Sequence, residues 1–128
     1  MKIKNNGGIV QEIEDIKLIL KKYYKQEELD KLNTKTRKQE VVEARQIIHT
    51  LLRNMSANRY SLKYIGINTG YKDHSTVLHS IKTVEDLCFN RVYKKKFEDI
   101  KFQYLEQQYY FEPIVRCPEL FSFDEYLK

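Results

Sequence analysis

The chain has 128 residues, enough for one domain and too few to hold a motor domain beside a binding domain. Lys and Arg outnumber Asp and Glu by 23 to 18, giving a net charge of +5 and an isoelectric point of about 9.1, so a polyanionic partner is expected. Mean hydropathy is −0.65, no apolar run approaches the roughly 20 residues of a spanning helix, and Met1 to Asn6 hold no signal-peptide core, so no membrane association and a cytoplasmic location are expected.

The charge is uneven. Residues 1–33 hold 7 basic and 6 acidic side chains, residues 34–96 hold 13 and 5, and residues 97–128 hold 3 and 7, which places a binding face in the middle of the chain. Breakers are scarce: the two prolines are Pro113 and Pro118, and the four glycines are Gly7, Gly8, Gly66 and Gly70, a pattern that favours an all-α fold. Residues 1–8 are expected to be disordered. Ile9, Ile13, Ile16, Leu20 and Tyr23 then recur at helical spacing, with Glu14, Lys17, Lys21 and Lys25 opposite. A turn around Glu27 to Leu32 adds Leu29 and Leu32 to the core, and the polar, basic stretch Asn33 to Lys38 reads as a loop. A helix from about Gln39 to Met55 points Val41, Ala44, Ile48, Leu52 and Met55 inward.

After a connector at Asn58 to Tyr60, Ser61 is placed to N-cap a short helix with Leu62 and Ile65 inward, and Gly70 to close it in the left-handed conformation. Asp73 caps the next helix, whose core stripe is Val77, Ile81, Val84 and Cys88. A last helix, rich in Tyr and Phe, is predicted from about Val92 to Tyr109, before Pro113 and Pro118 impose an extended tail. The expected organisation is a helical domain over residues 9–96 and an appended aromatic, acidic helix and tail over residues 97–128.

Ser61 to Leu87 has the form of a helix-turn-helix, whose second helix offers its N-terminal side chains to base edges. His74, Ser75 and Thr76 lie in that first turn, where free N–H groups and the positive end of the helix dipole favour phosphate. Asp73 holds the turn as N-cap, and its carboxylate is also able to accept from a cytosine amino group.

The wording of Gly70-Tyr71-Lys72-Asp73-His74-Ser75-Thr76-Val77-Leu78-His79 resembles the signature of the C-terminal DNA-binding domain of the bacterial DnaA replication initiators. Ala44-Arg45-Gln46, Ser61-Leu62 and Ile65-Gly66 stand where that family has similar residues, and the resemblance runs from about Glu12 through the Tyr23-Tyr24 pair to about Leu87. It implies a DnaA-like, all-α module that binds a short asymmetric box in double-stranded DNA through both grooves. By the same resemblance Asp73, His74, Ser75 and Thr76 face bases in the major groove and Arg37 enters the minor groove. Arg45, Gln46, Arg53, Leu62, Lys63 and Lys72 would contact the backbone and fix register. About six such contacts would lower affinity roughly a thousandfold between 50 and 200 mM salt.

The chain departs from the family pattern at Thr69, where an aromatic core residue is usual, at Tyr71 for the second turn glycine, at Lys72 for arginine and at Ser75 for threonine. Ser75 lacks the methyl that touches a thymine methyl, so a different preferred box is expected. No Gly-x-x-x-x-Gly-Lys-Ser/Thr loop occurs in the 128 residues, so the ATP-driven assembly domain of an initiator is expected to be missing. Action by occupancy follows, as a competitor for initiator boxes, a promoter regulator or an origin marker on a mobile genetic element.

Other features carry blander expectations. Cys88 and Cys117 lack metal or redox spacing and read as reduced thiols. His49 reads as a surface or partly buried residue, His79 as a packed, hydrogen-bonded one, and Lys94 to Lys96 as a solvated face. The aromatic run Phe97 to Phe111 suits packing against the core or a second subunit. Tyr109-Tyr110 invites comparison with a strand-transfer nucleophile, but such chemistry needs a metal held by paired histidines, and the acidic tail repels a phosphodiester; no enzymatic role, cofactor or metal is expected. The alternative to DNA reading is a helical adaptor that binds a protein partner through residues 97–128.

Overall fold

The first apolar stripe folds as α1, Gly8–Leu20, in a computed structural model that describes residues 2–3, 8–56, 60–70 and 72–110. Ile9, Ile13, Ile16, Ile19 and Leu20 are buried on one face of α1, and Glu12 lies among them, fully buried. The helix stops at Leu20, and the turn that follows leaves Tyr23 exposed and turns Tyr24 into the core, in place of the expected Tyr23. Burying Tyr24 is tolerable because its hydroxyl donates to Glu43 Oε1 at 2.6 Å. The short helix α2, Gln26–Leu29, then delivers Leu29 and, one turn on, Leu32 to the core.

Helix α3, Gln39–Thr50, is the central element, with Val41, Ala44, Ile47 and Ile48 buried. Its expected last turn widens into a π-helical turn, Leu51–Met55, which keeps Leu51 and Leu52 inside. Helix α4, Leu62–Asn68, and helix α5, His74–Leu87, pack on each other, with α5 also along α3 and α4 against α1 and the π-helical turn. Val77, Ile81 and Val84 bury the inner stripe of α5, each contributing about 1.5–3 kcal/mol of apolar burial, while Cys88 is half-buried past its end.

Helix α6, Arg91–Gln108, runs without a break through position 96, where a domain boundary was expected. Tyr93, Phe97, Ile100 and Tyr104 recur at helical spacing and are buried in the same core as α1 and α3. Charge marks the surface of α6 and does not divide the core. The N-terminal stretch, expected to be disordered, contributes a two-residue strand β1, Lys2–Ile3, which pairs antiparallel with β2, Tyr109–Tyr110. Ile and Tyr are good strand formers, and the two short segments satisfy each other's backbone groups. No described helix is long and apolar enough to cross a membrane. The predicted tail around Pro113, Cys117 and Pro118 lies outside the described residues.

Candidate nucleic-acid interface

The helix-turn-helix is built by caps and by two glycines. Ser61 Oγ accepts from the Tyr64 amide at 3.1 Å and starts α4. A side chain at Gly66 would overlap the Lys72 carbonyl, so glycine there lets the turn close over α4, and the Lys72 amide donates to the Gly66 carbonyl at 2.9 Å. Gly70 takes the left-handed conformation, φ +94°, and a Cβ there would sit 3.1 Å from Asn33. The loop before α3 is thus packed directly on the turn of the helix pair.

Asp73 Oδ1 accepts from both the amide and the hydroxyl of Thr76, at 2.8 and 2.9 Å. Those two bonds hold the Asp73 carboxyl below the usual carboxylate range. The cap leaves Asp73, His74, Ser75 and Thr76 all exposed in the first turn of α5. With its hydroxyl hydrogen committed to the cap, Thr76 has its methyl and a lone pair left for a partner. Further along the same outer face come His79 and Lys82, both exposed. His79 was expected to be packed; positions 77, 80, 81 and 84 form the inner face and turn it outward.

The loop at 33–38 is ordered by its own threonines. Thr34 Oγ1 donates to the Lys31 carbonyl at 2.6 Å, and the Lys38 amide donates to Thr36 Oγ1 at 3.3 Å. Lys38 also pairs with Glu28 at 3.2 Å. Arg37 projects into solvent from this loop. Arg45, expected at the DNA backbone, is only 9% exposed: its Nε donates to the Leu32 carbonyl at 2.9 Å and its Nη2 to the Thr34 carbonyl at 3.0 Å. Partial burial and the charges of Arg45 and Lys35 push the Lys72 amine below its ordinary value. Cations therefore crowd the place where the loop meets the turn.

The other expected backbone residues form a second group. Arg53 Nη1 donates to the Tyr60 carbonyl at 3.0 Å, beside the start of α4, where Leu62 is half-buried and Lys63 exposed. Gln46 is half-buried on α3. His49, expected at or near the surface, is fully buried on α3, with Nδ1 2.9 Å from Ser80 Oγ and Nε2 2.9 Å from Thr69 Oγ1. It ties α3 to both arms of the helix pair. Burial, with the charges of Arg45 and Lys72, pushes its pKa down to about 3, so the ring is neutral at physiological pH.

Sequence reasoning did not single out Asn33, Lys35 or the tie made by His49. Thr69 was the available signal for His49, because a hydroxyl stands there in place of an aromatic ring. The side chains of Tyr109 and Tyr110, weighed as nucleophiles, lie outside the described ones, as do Tyr71 and Ala57 to Arg59.

The bacterial DnaA helix-turn-helix family matches residues 13–84. The chain is 42% identical over 90 residues to the chromosomal replication initiator protein DnaA of Flavobacterium psychrophilum, covering 68% of this chain and 18% of that protein. To the DnaA of Bacteroides thetaiotaomicron it is 44% identical over 73 residues, 57% of this chain and 15% of that protein. To the DnaA of Streptococcus agalactiae it is 40% identical over 86 residues, 66% of this chain and 18% of that protein. The chain thus spans less than a fifth of the length of these relatives. No solved structure matches it significantly.

Proposed function

Because the chain belongs to the bacterial DnaA helix-turn-helix family, we propose that it reads a short box in double-stranded DNA, with the first turn of α5 in the major groove and the 33–38 loop in the minor groove. The observation that supports this most is the exposed Asp73-His74-Ser75-Thr76 turn, capped and aimed outward within the segment that carries 13 basic and 5 acidic residues. In this reading His74, Ser75 and Thr76 meet base edges, Asp73 holds the turn, and Arg37 enters the minor groove. Gln46, Arg53, Leu62, Lys63 and Lys72 set register on the phosphates. The reading unit takes in residues 9–96, with the rest of α6 packed into the same core.

The mode of action is occupancy in the cytoplasm, in control of replication initiation or of transcription. A second reading, protein interaction through the α6 side, is favoured by the exposure of Val92 and Phe102 at 81% and 63%.

Random-site selection with the wild-type chain, followed by titration of His74→Ala and Lys63→Ala on the selected duplex, tests the proposal. His74→Ala is expected to cost about 1–3 kcal/mol and relax preference at one base position. Lys63→Ala is expected to weaken all duplexes alike and to lower the salt slope by about 1. Enrichment of no sequence, with no retention on duplex DNA at low salt, would reject DNA reading and favour the protein-interaction role.

A further inference from the structure

We infer that Arg45 is a positioning residue, which locks the 33–38 loop to α3 and to the turn at Gly70 so that Arg37 and the first turn of α5 are presented to DNA as one rigid two-pronged unit. The inference rests on the DNA-reading proposal and deepens it, because it assigns Arg45 a task other than holding a phosphate.

Three observations carry it. The guanidinium of Arg45 is turned inward, and two of its donors are committed to the Leu32 and Thr34 carbonyls, on either side of Asn33 where the loop begins. A planar guanidinium spans two carbonyls with fixed geometry, which the single ammonium of lysine does not reproduce. On the other side of the loop, Asn33 lies so close to Gly70 that a Cβ there would sit within 3.1 Å of its backbone. The residue between Leu32 and Thr34 is therefore clamped, with α3 beneath it and the helix pair beside it. Arg45, Asn33, Leu32 and Thr69 also line one small crevice with Ile13 and Ile48, so the clamp is continuous with the core.

The consequence concerns entropy. A polar six-residue loop left to itself would order only on entering the groove, and ordering costs affinity. Fixed beforehand, it delivers Arg37 at a set distance from α5. The brace acts only through the residue it positions, which separates it from a phosphate contact. Loss of a phosphate contact adds to the loss of Arg37; loss of the brace does not.

The experiment uses the full chain and the duplex recovered by random-site selection. Arg37→Ala, Arg45→Lys and the double variant are titrated at several salt concentrations. Amide hydrogen exchange is followed for residues 33–38 in each free protein. Arg45→Lys keeps the charge, so a phosphate contact would be largely preserved. The expected result is that Arg45→Lys weakens binding about tenfold, comparably to Arg37→Ala, and costs nothing further in the Arg37→Ala background. Exchange over 33–38 should accelerate in Arg45→Lys while α3 and α5 amides keep their protection. Near-wild-type affinity of Arg45→Lys, additive losses, or unchanged exchange over 33–38 would each overturn the inference. If the wild-type chain binds no duplex, the DNA-reading proposal fails, and the exchange measurement still decides whether the brace exists.

Discussion

The seam between α3 and the α4–α5 pair and the seam between α1 and α6 are both buried and both polar, yet they are built from opposite chemistry. In the first, a neutral imidazole stands between two hydroxyls. Thr69 Oγ1 and Ser80 Oγ each lie 2.9 Å from a ring nitrogen, and a neutral ring donates from one nitrogen and accepts at the other. In the second, the Glu12 carboxyl accepts from the hydroxyls of Ser56, at 2.8 Å, of Tyr104, at 2.7 Å, and of Tyr60. One seam orients the α4–α5 pair on α3. The other fastens α6 and the connection to α4 onto α1. Apolar stripes alone allow helices to slide and rotate, whereas hydrogen bonds in a low-dielectric interior accept one register. Protonation bears on the first: burial holds the His49 ring neutral, so the histidine seam weakens as acid forces a proton onto it.

The largest expected effect comes from emptying the carboxyl seam. Glu12→Ala leaves the hydroxyls of Ser56, Tyr60 and Tyr104 without their shared acceptor and opens a gap under α6. The lost hydrogen bonds and the gap together should cost about 3 kcal/mol or more in urea unfolding. A cost below about 1 kcal/mol would mean that α6 is held by its apolar stripe alone, and the comparison between seams would collapse.

Next in size is a pH effect on the histidine seam. The folded pKa of His49 is about 3 against an ordinary 6.5, so between these values the unfolded chain binds a proton that the folded chain excludes. Stability is therefore full above about pH 6.5 and falls as pH drops, by about 2 kcal/mol between pH 7 and pH 5. The carboxyls of Glu28, Glu43 and Asp73 are held below their usual values, so their contributions fade only in stronger acid, beneath this window. Urea midpoints at pH 5, 6 and 7 should thus slope for the wild type and flatten for His49→Gln. Parallel slopes would remove His49 as the source.

These seams explain which parts of the molecule were legible in the sequence. The caps at Ser61 and Asp73 and the left-handed Gly70 are local devices, and each sits where the spacing placed it. The exposure of His74, Ser75 and Thr76 followed from the same local logic. Tertiary partners were not legible. His49 meets Thr69 and Ser80 across 20 and 31 residues of sequence, and nothing near His49 reveals them. Glu12 did leave a trace, because it falls between Ile9 and Ile16 on the inner face of α1, where a carboxyl must find donors. The division expected at residue 96 was drawn from charge, which sorts surfaces, while Tyr93, Phe97, Ile100 and Tyr104 follow the period of a single buried stripe. Arg45 shows the same limit: its motif fixes its place on α3, and only the fold shows its donors turned toward the loop.

The smallest expected effect sharpens the comparison by supplying a hydroxyl that belongs to neither seam. Tyr93 is buried on α6, and its hydroxyl finds no hydrogen-bond partner among the described residues. Its ring still packs, with the Lys96 ammonium 5.2 Å from the ring centroid. Burial of an unpaired hydroxyl opposes folding, so Tyr93→Phe should keep the packing and raise stability by about 1 kcal/mol. Tyr104→Phe, at the next inward turns of the same helix, removes a donor to Glu12 and should lower stability instead. Opposite signs for two identical substitutions on one helix would show that the carboxyl, rather than tyrosine burial as such, fastens α6. If both variants are destabilised alike, the Tyr93 hydroxyl has a partner in the folded protein.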